Sequence, residues 1–145
     1  MIKVNVVCVG KIKEEYLRQA CAEYAKRLSR FCSLEIKELA EGRNLKEEAA
    51  SILKNAKGYK IALCVEGGQL SSPALASSVK ALVDKGSEIT FIIGSSCGLD
   101  EEVKRAADLR LSFSPMTFPH QIMRVILLEQ IYRAFMINSG SEYHK

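Results

Sequence analysis

The strongest constraint on this chain is a repeated change of period. Five short apolar runs alternate with segments whose apolar residues recur every three or four positions. The runs are "IKVNVVCVG" ending at Gly10, "SLEIKEL" (33–39), "YKIALCV" (59–65), "EITFIIG" ending at Gly94, and "LRLSF" ending at Phe113. Runs of this length, rich in Val and Ile and bounded by glycine or polar residues, read as strands. The three-to-four spacing reads as the buried stripe of a helix. Strands separated by helices cannot be joined as hairpins, so each helix must cross a sheet face. An α/β domain with a mostly parallel sheet flanked by helices is the predicted fold class. Residues 33–39 alternate apolar and polar, which predicts a strand exposed on one side.

The helical segments carry their own punctuation. A helix is predicted over 13–31, where Leu17, Cys21, Tyr24, Leu28 and Phe31 follow one another at steps of four, three, four and three. The next spans "RNLKEEAASILKNAKG" and stops at Gly58. Then "EGG" reads as a glycine turn, Ser72 as an N-cap, Pro73 as a first helical residue and Gly86 as the stop. A short helix over 99–107 takes its cap from Asp100. The last helix, 119–137, is apolar nearly all round, from Ile122 and Met123 through Ile131 to Phe135 and Met136. That is more apolar surface than one sheet face can cover, so a second copy of the chain is expected against it. Arg124, Glu129 and Arg133 interrupt this stretch, which excludes a membrane span.

With 145 residues and no linker or repeat, a single domain over 1–145 is expected. Five cysteines without a C-x-x-C pair suggest reduced core thiols in a cytoplasmic protein. Two histidines with no nearby cysteine cluster give no reason for a metal site. The net charge of +4 is compatible with an RNA partner without requiring one.

Ligands of parallel sheets bind beyond the carboxyl ends of strands. That singles out "EGGQLSS", "GSSCGLD" and "FSPMTFP". The second lacks both nucleotide-binding glycine patterns, and no lysine follows it to hold a phosphate. The third is odd. A strand-to-helix connection is ordinarily polar, yet this one carries Phe113, Met116 and Phe118 and is pinned by Pro115 and Pro119.

"FIIGSSCGLD", followed by "LSFSPMTFPHQIMRVILLEQIYRAFMINSGSEYHK", resembles the SPOUT methyltransferases. The opening "VVCVGKIKEEYLRQACAEYAKRL" extends the resemblance over nearly the whole chain. It is closest to the family that methylates ring nitrogen 3 of a pseudouridine in large-subunit ribosomal RNA. The resemblance implies a C-terminal trefoil knot, a homodimer, and S-adenosyl-L-methionine as methyl donor. In that fold the connection after the last strand forms the knot and lines the donor pocket, which explains its apolar character. Its two prolines lower the entropy lost on ordering it.

The resemblance implies that the donor contacts Leu63 at the end of the middle strand and Gly94, Ser95 and Gly98 in the glycine loop. It adds Phe113, Ser114, Pro115, Met116, Thr117 and Phe118 in the knot loop. Ser95 replaces a glycine of the family pattern, and Pro115 offers no N–H. On the substrate side stand Arg124, Tyr143 and His144, with His120 as a further candidate, because a pseudouridine imide must lose its proton before it is methylated. The implied activity is methylation of ribosomal RNA, free or in the assembled large subunit or ribosome. Two alternatives are a non-catalytic RNA- or ribosome-binding relative, suggested by Ser95 and Pro115, and a thiol enzyme using Cys97 with His120 or His144.

Overall fold

The computed structural model describes residues 1–145. In chain order the elements are β1 (Lys3–Val9), α1 (Glu15–Leu28), β2 (Ser33–Leu39), α2 (Leu45–Asn55), β3 (Tyr59–Gln69), α3 (Ser72–Asp84), β4 (Ile89–Ile93), α4 (Glu101–Ala106), β5 (Leu109–Ser112) and α5 (His120–Asn138). All strand pairs are parallel, in the order β2-β1-β4-β3-β5. β1 and β4 are interior strands, and beyond Lys3 every residue of both is buried. β2 is an edge, and its exposure alternates as its sequence predicted.

The pleat sorts the apolar residues into two cores. Val4, Val6, Cys8, Phe91 and Ile93 face α1, α3 and α5, while Val7, Val9 and Ile92 face α2 and α4. α5 packs against both α1 and α3. Its Leu127, Leu128 and Ile131 are fully buried, and each contributes about 2 kcal/mol of hydrophobic stabilisation. No helix is long and apolar enough to cross a membrane. The cysteines are all unpaired, and burial pushes the Cys8 and Cys32 thiols up to about 11, where they are inert.

Three expectations shift. α1 is shorter at both ends than 13–31, so Phe31 lies in the turn beyond it and stacks on Phe135 at 5.5 Å. The N-cap of α3 is Ser71, whose hydroxyl accepts the Ala74 N–H at 3.2 Å; Ser72 is already helical. The largest shift concerns "EGG", which is not a turn. After a register break between Leu63 and Gly68, β3 pairs with β5 again through Gly68 and Gln69. A Cβ at Gly67 would lie 2.8 Å from the Arg110 backbone, so glycine there lets two strands touch rather than letting the chain reverse.

Candidate functional site

Beyond the carboxyl ends of β3, β4 and β5 lies a cavity of about 580 Å³, within the range of small-molecule sites. Two of its walls come from the second and third loops singled out above and one from β3 itself, since of "EGGQLSS" only Glu66 lines it. Leu63 and its neighbours Cys64, Val65 and Glu66 form one side, and Gly94, Ser95 and Gly98 form a second. Phe113, Ser114, Met116, Thr117 and Phe118 form the third. Pro115 alone of the expected donor contacts does not line it. His120 and Met123, on the first turn of α5, close the floor.

The glycine loop is a tight fold of backbone on itself. A Cβ on Gly94 would stand 2.3 Å from the Gly98 carbonyl oxygen, a distance no side chain tolerates. Gly98 has φ +87°, in the region that favours glycine, and donates to the Ser95 carbonyl at 2.9 Å. Ser95, by contrast, adopts an ordinary φ, since every positive-φ residue of the chain is glycine. Its hydroxyl donates to Glu48 Oε1 at 2.9 Å and accepts the Cys97 N–H at 3.3 Å. Glu48 is itself buried and accepts the Gly42 N–H at 3.1 Å through its other oxygen. The serine is therefore built into the loop, not strained by it. Pro115 is equally at ease. The Met116 N–H behind it donates to Ser114 Oγ at 3.0 Å, and the Ser112 hydroxyl donates to the Ser114 carbonyl at 3.0 Å. Both departures from the family pattern are thus accommodated.

Sequence reasoning missed the charges at the cavity mouth, Glu66 and Lys104, which pair with each other; Glu101 stands 3.7 Å from the same lysine. The hydrogen bond from Lys104 holds the Glu66 carboxyl below its ordinary range, and the bond to Glu66 raises Lys104. Reading "EGG" as a turn hid Glu66. Lys104 sits 38 residues along on α4, with no sequence signal to join the two. Cys97 is exposed and does not line the cavity.

Arg124, expected on the substrate side, does not line the cavity. Only 1% of it is exposed, and it lies inside the molecule. It pairs with Glu38 at 2.6 Å and donates to the Gly10 carbonyl at 3.1 Å, while its Nε has no partner. The run of apolar neighbours around an isolated arginine was the available signal. A guanidinium placed here ties the start of α5, and so the cavity floor, to the ends of β1 and β2. Removing one member of such a pair leaves an uncompensated charge, a loss softened here because Glu38 is partly exposed. Arg124→Met is expected to lower unfolding free energy by about 3 kcal/mol in urea titrations. Unchanged stability with lost activity would return Arg124 to the substrate side.

Tyr143 and His144 lie at the other end of α5. Tyr143 is docked on its own chain. Its hydroxyl donates to Glu129 Oε2 at 3.2 Å, and its ring meets Tyr132 edge-on at 5.1 Å. The Arg133 guanidinium lies over that ring at 4.8 Å. Burial, and then the Glu129 carboxylate, push the Tyr143 phenol up, so it stays a donor. His144 Nδ1 is 3.1 Å from Arg133 Nη1. From Met123 to Arg133 is ten residues, roughly 15 Å along the helix. The tail is therefore remote from the cavity of its own chain.

A parallel sheet whose last strand meets a long C-terminal helix through an apolar loop, with that loop walling a ligand cavity, defines the class of knotted α/β methyltransferases. The placement of 113–119 against 63–66 and 94–98 is consistent with the knot. Comparison with known proteins agrees. The family described as "Predicted SPOUT methyltransferase" matches residues 2–144. "Ribosomal RNA large subunit methyltransferase H" of Bifidobacterium adolescentis is 49% identical, and the protein of the same name from Streptococcus equi subsp. zooepidemicus is 45% identical. Each match covers 99% of this chain and all of the relative. Among solved structures, a "probable methylase family protein" of Haemophilus influenzae Rd KW20 superposes with TM-score 0.64 at 12% identity, over 100% of this chain and 72% of that one. The SpoU methyltransferase AviRb of Streptomyces viridochromogenes, solved with AdoMet, gives 0.53 at 9% identity, over 97% and 59%. The chain belongs to the SPOUT methyltransferase family.

Proposed function

We propose that residues 1–145 act in the cytoplasm as one catalytic domain that methylates ring nitrogen 3 of a pseudouridine in large-subunit ribosomal RNA. The observation that carries this reading is the coincidence of the cavity with the three segments, the end of β3 and two loops, that resemble the donor-binding segments of that family. S-adenosyl-L-methionine fits what these residues offer. Apolar side chains such as Leu63, Phe113 and Phe118 would hold an adenine. Gly94, folded tightly against Gly98, presents a wall of backbone, and Glu66 and Lys104 at the mouth match polar and charged ends. When bound, this donor supplies a methyl group on a sulfonium. The walls keep water out and fix the line of approach, which is most of what such a transfer requires of a protein. No group of histidine, cysteine and acidic side chains is arranged to hold a metal ion.

The substrate side is completed by a second copy. α5 leaves Ile122 37% exposed and the adjoining loop leaves Met116 73% exposed, an apolar strip beside the cavity mouth. In a two-fold dimer with antiparallel α5 helices, the end of one lies beside the start of the other. That arrangement brings the partner's Tyr143 and His144 toward a cavity that its own chain's tail does not reach.

Purified protein given methyl-labelled donor and ribosomal RNA or ribosomes is expected to label the large-subunit RNA at a pseudouridine. It is expected to sediment as a dimer at micromolar concentration. Donor binding in calorimetry without any labelling would instead identify a relative that kept the pocket but not the reaction.

A further inference from the structure

His144 is held by a group that can only donate. A guanidinium carries five N–H groups, has no acceptor, and is not deprotonated in proteins. Its 3.1 Å contact with His144 Nδ1 therefore requires Nδ1 to accept. A neutral imidazole whose Nδ1 accepts carries its proton on Nε2. The guanidinium is in turn fixed by two contacts, whose partners are themselves tied together by a third. Glu129 Oε1 accepts from Arg133 Nε at 2.7 Å, Glu129 Oε2 accepts from the Tyr143 hydroxyl at 3.2 Å, and the Tyr143 ring lies 4.8 Å beneath the guanidinium carbon. Both oxygens of one carboxylate thus lock the two neighbours of His144.

We propose that Arg133 is a positioning residue that sets the tautomer of His144, making it a hydrogen-bond donor to the substrate base and not the base that removes its proton. The proposal rests on the reading above, in which the tail serves a pseudouridine in the partner's cavity. Ring nitrogen 3 lies between two carbonyls, and once its proton is gone the negative charge spreads onto their oxygens. An Nε2–H aimed at one of those oxygens stabilises that anion, in the manner of an oxyanion donor. The balance is then simple. The N–H bond of the imide breaks and its proton passes to water. The electron pair left on nitrogen forms the new bond to the methyl carbon. The sulfur–methyl bond breaks with its pair remaining on sulfur, which becomes a neutral thioether. No protein base is needed. The titratable and charged groups about the tail are Arg133, in contact with His144, Glu129 on α5, Glu142, Tyr143 and Lys145 on the tail itself, and, on α1, Tyr24 facing Tyr143 and Arg27 over the Tyr24 and Tyr132 rings.

Two measurements test this, and the first does not depend on the reaction. Nitrogen NMR of the protein labelled in histidine, with His144 assigned by its loss in His144→Gln, is expected to show Nε2 protonated and Nδ1 unprotonated. In Arg133→Met the resonances are expected to move toward a mixture of tautomers. Arg133→Lys, whose ammonium also only donates, is expected to restore the wild-type pattern. A protonated Nδ1 in the wild-type protein overturns the proposal. The second measurement is methylation. Arg133→Met is expected to lower kcat about tenfold with little change in KM for RNA, and Arg133→Lys to recover most of it. Thermal melts of both variants separate this from loss of fold. Glutamine offers an N–H but no basic nitrogen, so His144→Gln is expected to stay well above His144→Ala. Equal inactivity of these two variants, with an active wild type, would show that the histidine is a base and sink the proposal alone. A wild type that methylates nothing, or a fully active His144→Ala, would sink the underlying reading with it.

Discussion

Exchanging Gly94 for tryptophan is expected to abolish binding of S-adenosyl-L-methionine while leaving a folded protein. The reason is sharper than bulk alone. The Gly98 carbonyl oxygen already occupies the place of the first side-chain atom, 2.3 Å away. Even Gly94→Ala must push the two halves of the loop apart, and the cavity wall moves with them. Calorimetry should show a rise in Kd of more than about a hundredfold for the tryptophan variant, equivalent to over roughly 2.7 kcal/mol. Circular dichroism should show the helices retained, because the loop lies outside every helix and strand. Ordinary donor binding by Gly94→Trp would mean that the donor occupies another site.

Removing Tyr143, His144 and Lys145 is expected to act on the other half of the reaction. Methylation of ribosomal RNA should fall by well over tenfold, more than about 1.4 kcal/mol of transition-state stabilisation. Donor affinity should stay near that of the full chain, because none of these residues lines the cavity. Stability should drop only by about 1 kcal/mol, the scale of one aromatic pair and one hydrogen bond lost from Tyr143. Mixing this truncated chain with Gly94→Trp offers an independent check on the assembly. A mixed dimer pairs one intact cavity with one intact tail, so activity should reappear from two inactive chains. Full activity of the truncated chain by itself would make the tail a bystander.

The sheet was legible because its evidence is local. Val4 to Val9 and Ile89 to Ile93 are apolar runs, broken only by Asn5 and Thr90, because neighbours flank them on both sides and helices cover both faces. The alternation in residues 33–39 betrayed a strand exposed on one side. The oddity of 113–119 was legible too, since an apolar connector with two prolines needs something to pack on. What could not be read was pairing between distant residues. Arg124 meets Glu38 across 86 positions and Gly10 across 114, so the sequence could not show that its charge points inward. Glu66 and Lys104 are joined only by the way β3 continues past its glycines to lie near α4. Gly67 carried the opposite meaning from the usual one, because close contact and chain reversal demand the same residue. The docking of Tyr143 depended on Glu129, Tyr132 and Arg133 sharing one face of α5, which the helical period allowed but could not single out among so many apolar residues.

The order of the strands governs how the chain can come to exist. β4 is seated between β1 and β3, and α5 packs on both α1 and α3. The first half of the polypeptide therefore cannot close its own core while the second half is still unmade. Leu17, Cys21 and Leu28 of α1 must wait for residues more than a hundred positions away. While the chain is being made, the native core can form only once α5 is available to pack. A transcript cut short before α5 would yield an exposed apolar layer, not a smaller working protein. An enzyme that acts on ribosomal RNA thus becomes competent only once α5 has locked the two halves of its core together.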